Sequence, residues 1–180
     1  MKPCLLPVLR QKGLTLIELM VTLTVIAVMA SMAAPSFRTF AANQSLNSVV
    51  SEMRTSFETA RTTALSRNRQ VTVAPISGNN WMTGWQVFVD SNKNGSLDAG
   101  EEVVQQHAVT DKNLSTFASE VNDCKPNADV KFSYAADGFL LSEHMGGIAV
   151  EHANTERKKC VAINRLGRAR VCEIKGGECK

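Results

Sequence analysis

The sequence of 180 residues has few aromatic side chains, little net charge and none of the short motifs that mark common enzyme classes. Only 6% of its residues are aromatic, and its formal net charge of +3 is too small for the whole chain to be a nucleic-acid binder. It contains no phosphate-binding glycine loop, zinc-hydrolase motif or Ser-His-Asp arrangement, so we predict that the protein is not an enzyme. Apolar residues make up 44% of the chain, which is enough for a packed core and excludes full disorder.

One long apolar run lies near the N-terminus. It extends from Leu14 to Phe37, and Glu18 is its only charged residue. A helix of about 20 residues spans a bilayer, and core helices of soluble proteins rarely stay apolar on all sides over such a length. The basic residues before the run favour a cytoplasmic N-terminus, and the run is too long for an ordinary secretory signal peptide. These basic residues are Lys2, Arg10 and Lys12.

A helical pattern continues beyond Pro35, which is expected to kink the helix. Apolar residues recur every three or four positions as far as Ala64, which predicts one helix from Leu14 to about Ser66. From Gln70 onward, short β-type segments alternate with clusters of Gly, Asn and Asp. This order predicts an α+β fold, in which an antiparallel sheet packs on the second half of a long helix.

Charge is distributed unevenly along the chain. Residues 1–13 carry +3, residues 14–156 carry −6 and residues 157–180 carry +6. This charge distribution, together with the apolar run and the helical and β-type patterns, predicts five segments. They are a leader at 1–13, a membrane or fibre-core helix at 14–37, an amphipathic helix at 38–66, a β-rich head at 67–156 and a basic hairpin or tail at 157–180.

The basic segment contains the candidate binding residues, which surround a predicted hairpin centred on Leu166. Arg168 and Arg170 are two positions apart, so on a strand they would share one face and could hold adjacent phosphates. The alternative is a solvated basic edge that discourages strand aggregation. The full candidate set is Arg165, Gly167, Arg168, Arg170, Lys158, Lys159 and Lys175.

Four cysteines remain when Cys4, in the leader, is set aside. An even number in an exported head predicts disulfides, with three possible pairings of Cys124, Cys160, Cys172 and Cys179. Cys160 and Cys172 lie at opposite ends of the predicted hairpin, which favours a bond between them and leaves Cys124 with Cys179. Zinc is the competing interpretation, although no CxxC or paired-His spacing supports it.

The segment from Asp90 to Glu101 matches a calcium-loop pattern. Asp90, Asn92 and Asn94 stand at alternate positions, Gly95 follows for the sharp turn, and Glu101 closes the pattern. Both flanks look like strands, unlike the helices of an EF-hand. The competing interpretation is therefore a hairpin connection rich in Asn and Gly, and no other cofactor is predicted.

The segment Lys12–Glu18, with sequence KGLTLIE, resembles the class III signal of type IV pilins and type II secretion pseudopilins. The resemblance implies that a prepilin peptidase cuts after Gly13 and that Leu14 becomes the N-methylated first residue. It also implies that Glu18 pairs with the N-terminal amine of a neighbouring subunit during assembly. A carboxylate within a membrane helix is costly and usually functional, whereas the alternative is a Glu at the membrane interface.

Two further segments resemble the GspH/FimT family of minor pilins, and FimT proteins in particular. They are residues 84–95, GWQVFVDSNKNG, and residues 160–172, CVAINRLGRARVC. Within the second, residues 167–170 are similar to the DNA-binding motif that FimT proteins use in natural transformation.

The resemblance implies a minor pilin of a type IV pilus whose partners are prepilin peptidase, other pilins and double-stranded DNA of any sequence. The protein would be a single-pass inner-membrane protein with a periplasmic head before assembly, and would lie on the cell surface in the pilus afterwards. Two alternatives stay open, a type II secretion minor pseudopilin H and a purely structural pilus subunit.

Overall fold

The computed structural model describes residues 15–117, 124, 131–141 and 146–180, without the side chains of residues 33 and 34. The chain divides into two compact units, Met1–Arg38 and Thr39–Lys180. In the first unit residues 16–38 belong to a helix whose large apolar side chains are exposed, among them Leu16 at 77% and Phe37 at 70%. An exposed apolar surface of this kind needs a lipid or protein partner.

Helix α1 extends from Leu16 to Arg67 and contains Pro35. It ends where Asn68 adopts a left-handed conformation, with φ of 52°. The N–H of Arg69 then donates to the carbonyl of Ala64 at 3.3 Å, which is the closing bond of a Schellman motif. By length and composition no single described helix qualifies as a membrane span, whereas Leu16–Met32 and Pro35–Arg67, separated by a bend, qualify together.

The second half of α1 packs one face on the head, as the sequence predicts. Every residue of the predicted apolar stripe is buried, and Ser56 on the same face accepts a hydrogen bond from Trp85 Nε1 at 2.9 Å. Around Phe57 the core is aromatic, with Trp81 and Phe132 at ring-centroid distances of 6.0 and 5.2 Å. The buried stripe comprises Leu46, Val49, Met53, Phe57, Ala60 and Ala64.

Two antiparallel sheets cover this helix face, where the sequence predicts a single sheet. The first has strand order β3-β2-β1-β5, and the second has order β4-β6-β7-β8-β9. A 3₁₀ turn at Trp81–Thr83 precedes β2. The strands are β1 Val71–Pro75, β2 Trp85–Val89, β3 Val103–His107, β4 Leu114–Phe117, β5 Phe132–Tyr134, β6 Gly146–His152, β7 Lys158–Ile163, β8 Ala169–Lys175 and β9 Glu178–Cys179.

Polar contacts also join α1 to the strands within the unit Thr39–Lys180. Asp111 accepts from Ser45 Oγ at 2.5 Å and lies 3.2 Å from His152 Nε2. His107 lies 2.9 Å from Glu52 on α1 and stacks on the ring of Trp85. The hydrogen bond from Ser45, with a smaller contribution from His152, holds the pKa of Asp111 below its usual value.

Candidate functional site

The predicted basic hairpin is present and consists of β7 and β8, which pair in antiparallel register. Its turn, residues 164–168, is closed mainly by Asn164. The carbonyl of Asn164 accepts from Gly167 N at 2.9 Å, its N–H donates to Arg168 O at 3.1 Å, and its side-chain Oδ1 accepts from Arg168 N at 2.9 Å. We call residues 164–168 the hairpin tip.

Gly167 is buried and seats the hairpin tip on the head. Its φ of +73° lies in the left-handed region that glycine tolerates best. A Cβ at this position would overlap the carbonyl oxygen of Gly138 and would approach Tyr134 Cε1 at 2.8 Å. Arg165 adds a second attachment, because its carbonyl accepts from Leu140 N at 3.3 Å. The glycine of the predicted binding motif therefore has a packing role.

The arginines of the hairpin lie on its surface. Arg165 and Arg168 are exposed in the hairpin tip, and no carboxylate of the described residues forms an ion pair with either of them. Arg170 is exposed in β8, where it lies opposite Ala162 of β7. The structure thus places these three arginine residues at one end of the hairpin.

The flanking lysines have different surroundings from the arginines. Lys158 pairs with Glu151 at 2.9 Å and lies over the ring of Phe117 at 4.6 Å. Lys175 pairs with Glu173 at 3.4 Å. Lys159 is half-buried, and its desolvation, together with nearby positive charge, lowers its pKa.

Glu173 on β8 also neutralises Arg157, a further cation of the basic segment. Its two carboxylate oxygens accept from Arg157 Nε and Nη2 at 2.9 and 3.0 Å. These charge-assisted bonds are the main reason that the pKa of Glu173 falls to about 2. The basic segment therefore contains paired cations on the strands and arginines without a described acidic partner at the tip.

The favoured disulfide pairing is wrong, although the cysteines predicted to form disulfides all do so. The bonds join Cys124 to Cys160 and Cys172 to Cys179. Cys160 and Cys172 do lie directly opposite each other across the hairpin. Directly opposed residues have Cβ atoms about 4.5–5.5 Å apart, however, whereas a disulfide requires about 3.5–4.5 Å.

The sulfur atoms of the two disulfides form one cluster on the side of the sheet that faces away from the main core. Cys124 Sγ lies 3.6 Å from Cys179 Sγ and 3.9 Å from Cys172 Sγ. The first bond joins Cys124 to β7, and the second bond closes the short β8–β9 hairpin. The basic hairpin is thus covalently fastened on both of its strands.

The predicted calcium loop connects β2 to β3 and is organised around Asp90, which is 1% exposed. Asp90 Oδ2 accepts from Gly95 N at 2.8 Å, Thr72 Oγ1 at 2.9 Å and Gln70 Nε2 at 3.0 Å, and Oδ1 accepts from Asn94 N at 3.1 Å. Protein donors therefore surround this carboxylate. Calcium binding by the loop stays a prediction, and it requires Asp90 to exchange some of these hydrogen bonds for the ion.

The remaining calcium-loop candidates are also engaged in hydrogen bonds within the loop. Asn92 Nδ2 and Asn94 Nδ2 donate to Asp98 Oδ2 at 2.7 and 2.5 Å, and these bonds lower the pKa of Asp98. Glu101 Oε1 accepts from Ser91 N at 2.8 Å. The loop is therefore held closed by its own side chains.

At the N-terminus of α1, Thr15 and Glu18 form a capping box. Thr15 N donates to Glu18 Oε2 at 2.9 Å, and Glu18 N donates to Thr15 Oγ1 at 3.3 Å. The carboxylate of Glu18 is thus directed to the first turn of its own helix. The predicted cleavage residues Gly13 and Leu14 lie outside the described residues.

One feature near the hairpin tip is missed by the sequence analysis. An open cleft of about 450 Å³ lies between the end of α1, the start of the β2–β3 loop and the turn after β5, and Arg69 and Lys93 line it. Asn68 and Lys93 are the non-glycine residues of the described chain with positive φ, at 52° and 64°, and both line this cleft. The Asn-Lys-Asn-Gly stretch at 92–95 was the available signal, because such residues tolerate left-handed turns.

Comparison with known proteins supports the fold and the leader. Residues 49–167 match the family model described as type II transport protein GspH, and residues 9–34 match the prokaryotic N-terminal methylation motif. No curated protein has a significant sequence match.

Two crystal structures of the type IV minor pilin FimU from Pseudomonas aeruginosa (strain PAO1) are similar in fold. The P21 form has a TM-score of 0.57 at 18% identity, covering 78% of this chain and 96% of that chain. The P65 form has a TM-score of 0.52 at 15% identity, covering 74% and 96%.

The architecture is therefore that of a type IV pilin, with a long N-terminal helix packed on antiparallel sheets. The leader motif implies processing by a prepilin peptidase and association with other pilins. Because the family model covers well over half of the chain, the chain belongs to the GspH family of pilin and pseudopilin subunits, which are structural subunits rather than enzymes.

Proposed function

We propose that this protein is a minor pilin of a type IV pilus. The precursor is cleaved after Gly13, Leu14 becomes N-methylated, and the first half of α1 anchors the protein in the inner membrane before assembly. The methylation motif at residues 9–34 supports this proposal, as does the exposed apolar surface of Leu16–Phe37. That surface is satisfied by lipid before assembly and by neighbouring pilin helices afterwards.

Glu18 is proposed to act in assembly by pairing with the N-terminal amine of a neighbouring subunit. Its position five residues into the apolar run supports the proposal, because an intramembrane carboxylate needs a polar partner. Before assembly, the capping box with Thr15 supplies such partners within the same chain. The carboxylate then exchanges these bonds for the amine of the next subunit.

The hairpin tip is proposed to bind DNA during natural transformation. The observation that carries this proposal is that Arg165 and Arg168 are exposed on a well-anchored turn and have no described acidic partner. Arg170 on β8 extends the same surface, whereas Lys158, Lys159 and Lys175 contribute charge from the flanks. Guanidinium groups bind phosphates through forked hydrogen bonds, so the contact is independent of base sequence.

Fluorescence anisotropy of a labelled 20-base-pair duplex with the full-length chain in non-ionic detergent tests this proposal. We expect the double variant Arg168→Gln/Arg170→Gln to weaken binding about tenfold or more at 0.1 M salt. The slope of log affinity against log salt should also fall by about 2, because two phosphate contacts are lost.

The double variant Lys158→Gln/Lys175→Gln is the matched control, because it removes the same charge from residues already paired with Glu151 and Glu173. It should weaken binding less than threefold. Equal affinity of the arginine variant and the unaltered chain would contradict DNA binding, and the protein would then be a purely structural subunit.

A minor pseudopilin H of a type II secretion system is the second candidate, because the matching family model is described as type II transport protein GspH. Leader, helix and head are common to both roles. Deletion of the gene separates them: loss of DNA uptake with normal protein secretion supports the pilus role, and the reverse result supports the secretion role.

A further inference from the structure

The cleft beside the hairpin tip has the lining of an anion site. Arg69, just after α1, and Lys93, in the β2–β3 loop, line it and are exposed, and within the described part of the chain neither forms an ion pair. Asp90 lies in the wall, but it is 1% exposed and its oxygens are taken up by protein donors. Arg69 and Lys93 are therefore the exposed charged residues among those that line the cleft.

The size of the cleft limits what can enter it. About 450 Å³ is the volume of a small-molecule pocket, which has room for a nucleotide but not for a double helix. Leu141 lines the cleft and is 51% exposed, so the site offers an apolar surface beside its two cations. This combination suits a nucleotide whose base is unpaired, with phosphate on the cations and base against the leucine.

One turn separates the cleft from the hairpin tip. Ala135 and Leu141 face the cleft, whereas Gly138 contacts Gly167 and Leu140 N donates to the carbonyl of Arg165. The two sites thus lie on either side of the turn at residues 135–141. Successive phosphates of one strand advance by about 3.4 Å in a duplex, so a strand of a few nucleotides is long enough to pass over one turn.

We infer that the Arg69–Lys93 cleft captures an unpaired nucleotide at the end of a DNA whose backbone is held by the hairpin tip. This inference rests on the proposed DNA binding and adds a preference, because a duplex with a single-stranded tail fills both sites and a blunt duplex fills only one. Phe139, which is 49% exposed, lies on the turn between the hairpin tip and the cleft, and its ring offers a stacking surface for a base of the strand that passes between them.

Anisotropy titrations of the full-length chain in detergent compare a blunt 20-base-pair duplex with the same duplex carrying a five-nucleotide tail. We expect the tailed duplex to bind about five- to tenfold more tightly. The variant Arg69→Gln/Lys93→Gln should remove this advantage and change blunt-duplex affinity less than twofold. Lys112→Gln, at an exposed lysine in the loop before β4, is the matched control and should preserve the advantage.

The outcomes separate this inference from the proposed function. Equal binding of blunt and tailed DNA by the unaltered chain, with loss of both in Arg168→Gln/Arg170→Gln, overturns the cleft and keeps the hairpin tip. An equal loss of blunt and tailed binding in Arg69→Gln/Lys93→Gln also overturns the cleft as a nucleotide site. Absence of binding to either DNA overturns both proposals.

Discussion

Replacing Gly167 by alanine tests how the hairpin tip is held. Two costs add in the Gly167→Ala variant. A non-glycine residue at φ of +73° loses about 1–2 kcal/mol, and the new Cβ overlaps the carbonyl of Gly138 and the ring of Tyr134. Tyr134 is fully buried, so its ring cannot move aside and the overlap costs a further 1–3 kcal/mol or so. We expect a total loss of about 2–5 kcal/mol in unfolding free energy.

Urea unfolding of the full-length chain in detergent, followed by tryptophan fluorescence, measures this loss. Trp81 and Trp85 are both buried in the head and are the only tryptophans of the chain, so the signal reports the core. Gly78→Ala is the matched control, because Gly78 also has positive φ, +54°, but a Cβ there meets nothing within 4 Å. It should lose only the cost of the backbone strain, about 1–2 kcal/mol.

The difference between the two variants isolates the overlap from the backbone strain. Gly167→Asn gives a second check, since Asn tolerates the left-handed conformation but still carries a Cβ. We expect it to lose stability almost as Gly167→Ala does. If Gly167→Ala proves no more destabilised than Gly78→Ala, the tip is not seated on Tyr134 and the reasoning is refuted.

Two further predictions concern buried and paired carboxylates. Asp90→Ala leaves the donors of Gly95 and Thr72 without their acceptor, so it should lower the unfolding free energy measured in urea by about 2–4 kcal/mol. If the loop binds calcium, millimolar calcium should raise the melting temperature of the unaltered chain but not that of Asp90→Ala. No rise in the unaltered chain would contradict the calcium prediction. Glu173→Gln should cost about 1 kcal/mol at pH 7 by breaking the pair with Arg157. Because the folded pKa of about 2 lies below the usual 4.5, this contribution should be complete above pH 4.5 and be lost as pH falls through about 2. A difference that is as large at pH 2 as at pH 7 would contradict the pairing.

The helix and most strands were predictable because their signals are local. The stripe from Leu46 to Ala64 repeats with the period of a helix, and it is buried as predicted. The division into two sheets was not predictable, because it depends on which strands pair over long distances. Strand β4, Leu114–Phe117, was also not predicted, since only Leu114 of its four residues is buried and the segment shows no alternation of apolar and polar residues.

The disulfides show the same limit at a single site. The register that places Cys160 opposite Cys172 follows from the hairpin and was predictable. The bonding partner of Cys160 is Cys124, 36 residues earlier, and no local pattern in the sequence encodes a contact over that distance. The cleft lined by Arg69 and Lys93 was not predicted for a similar reason, because it is formed by three segments that are distant in the sequence.

The packing of Gly167 shows that the glycine and the arginines of the Gly-Arg-Ala-Arg motif have different roles. Its glycine is required by the contact with Gly138, whose carbonyl also accepts from Arg61 of α1 at 3.1 Å. Packing therefore explains the glycine without DNA, and only the arginines of the motif are proposed to contact phosphates. The same contacts join the tip to α1 through one turn, so the backbone of Arg168 is held in place and loses little conformational entropy when a phosphate binds. A displaced tip, as in Gly167→Ala, should therefore weaken DNA binding even though every arginine is still present.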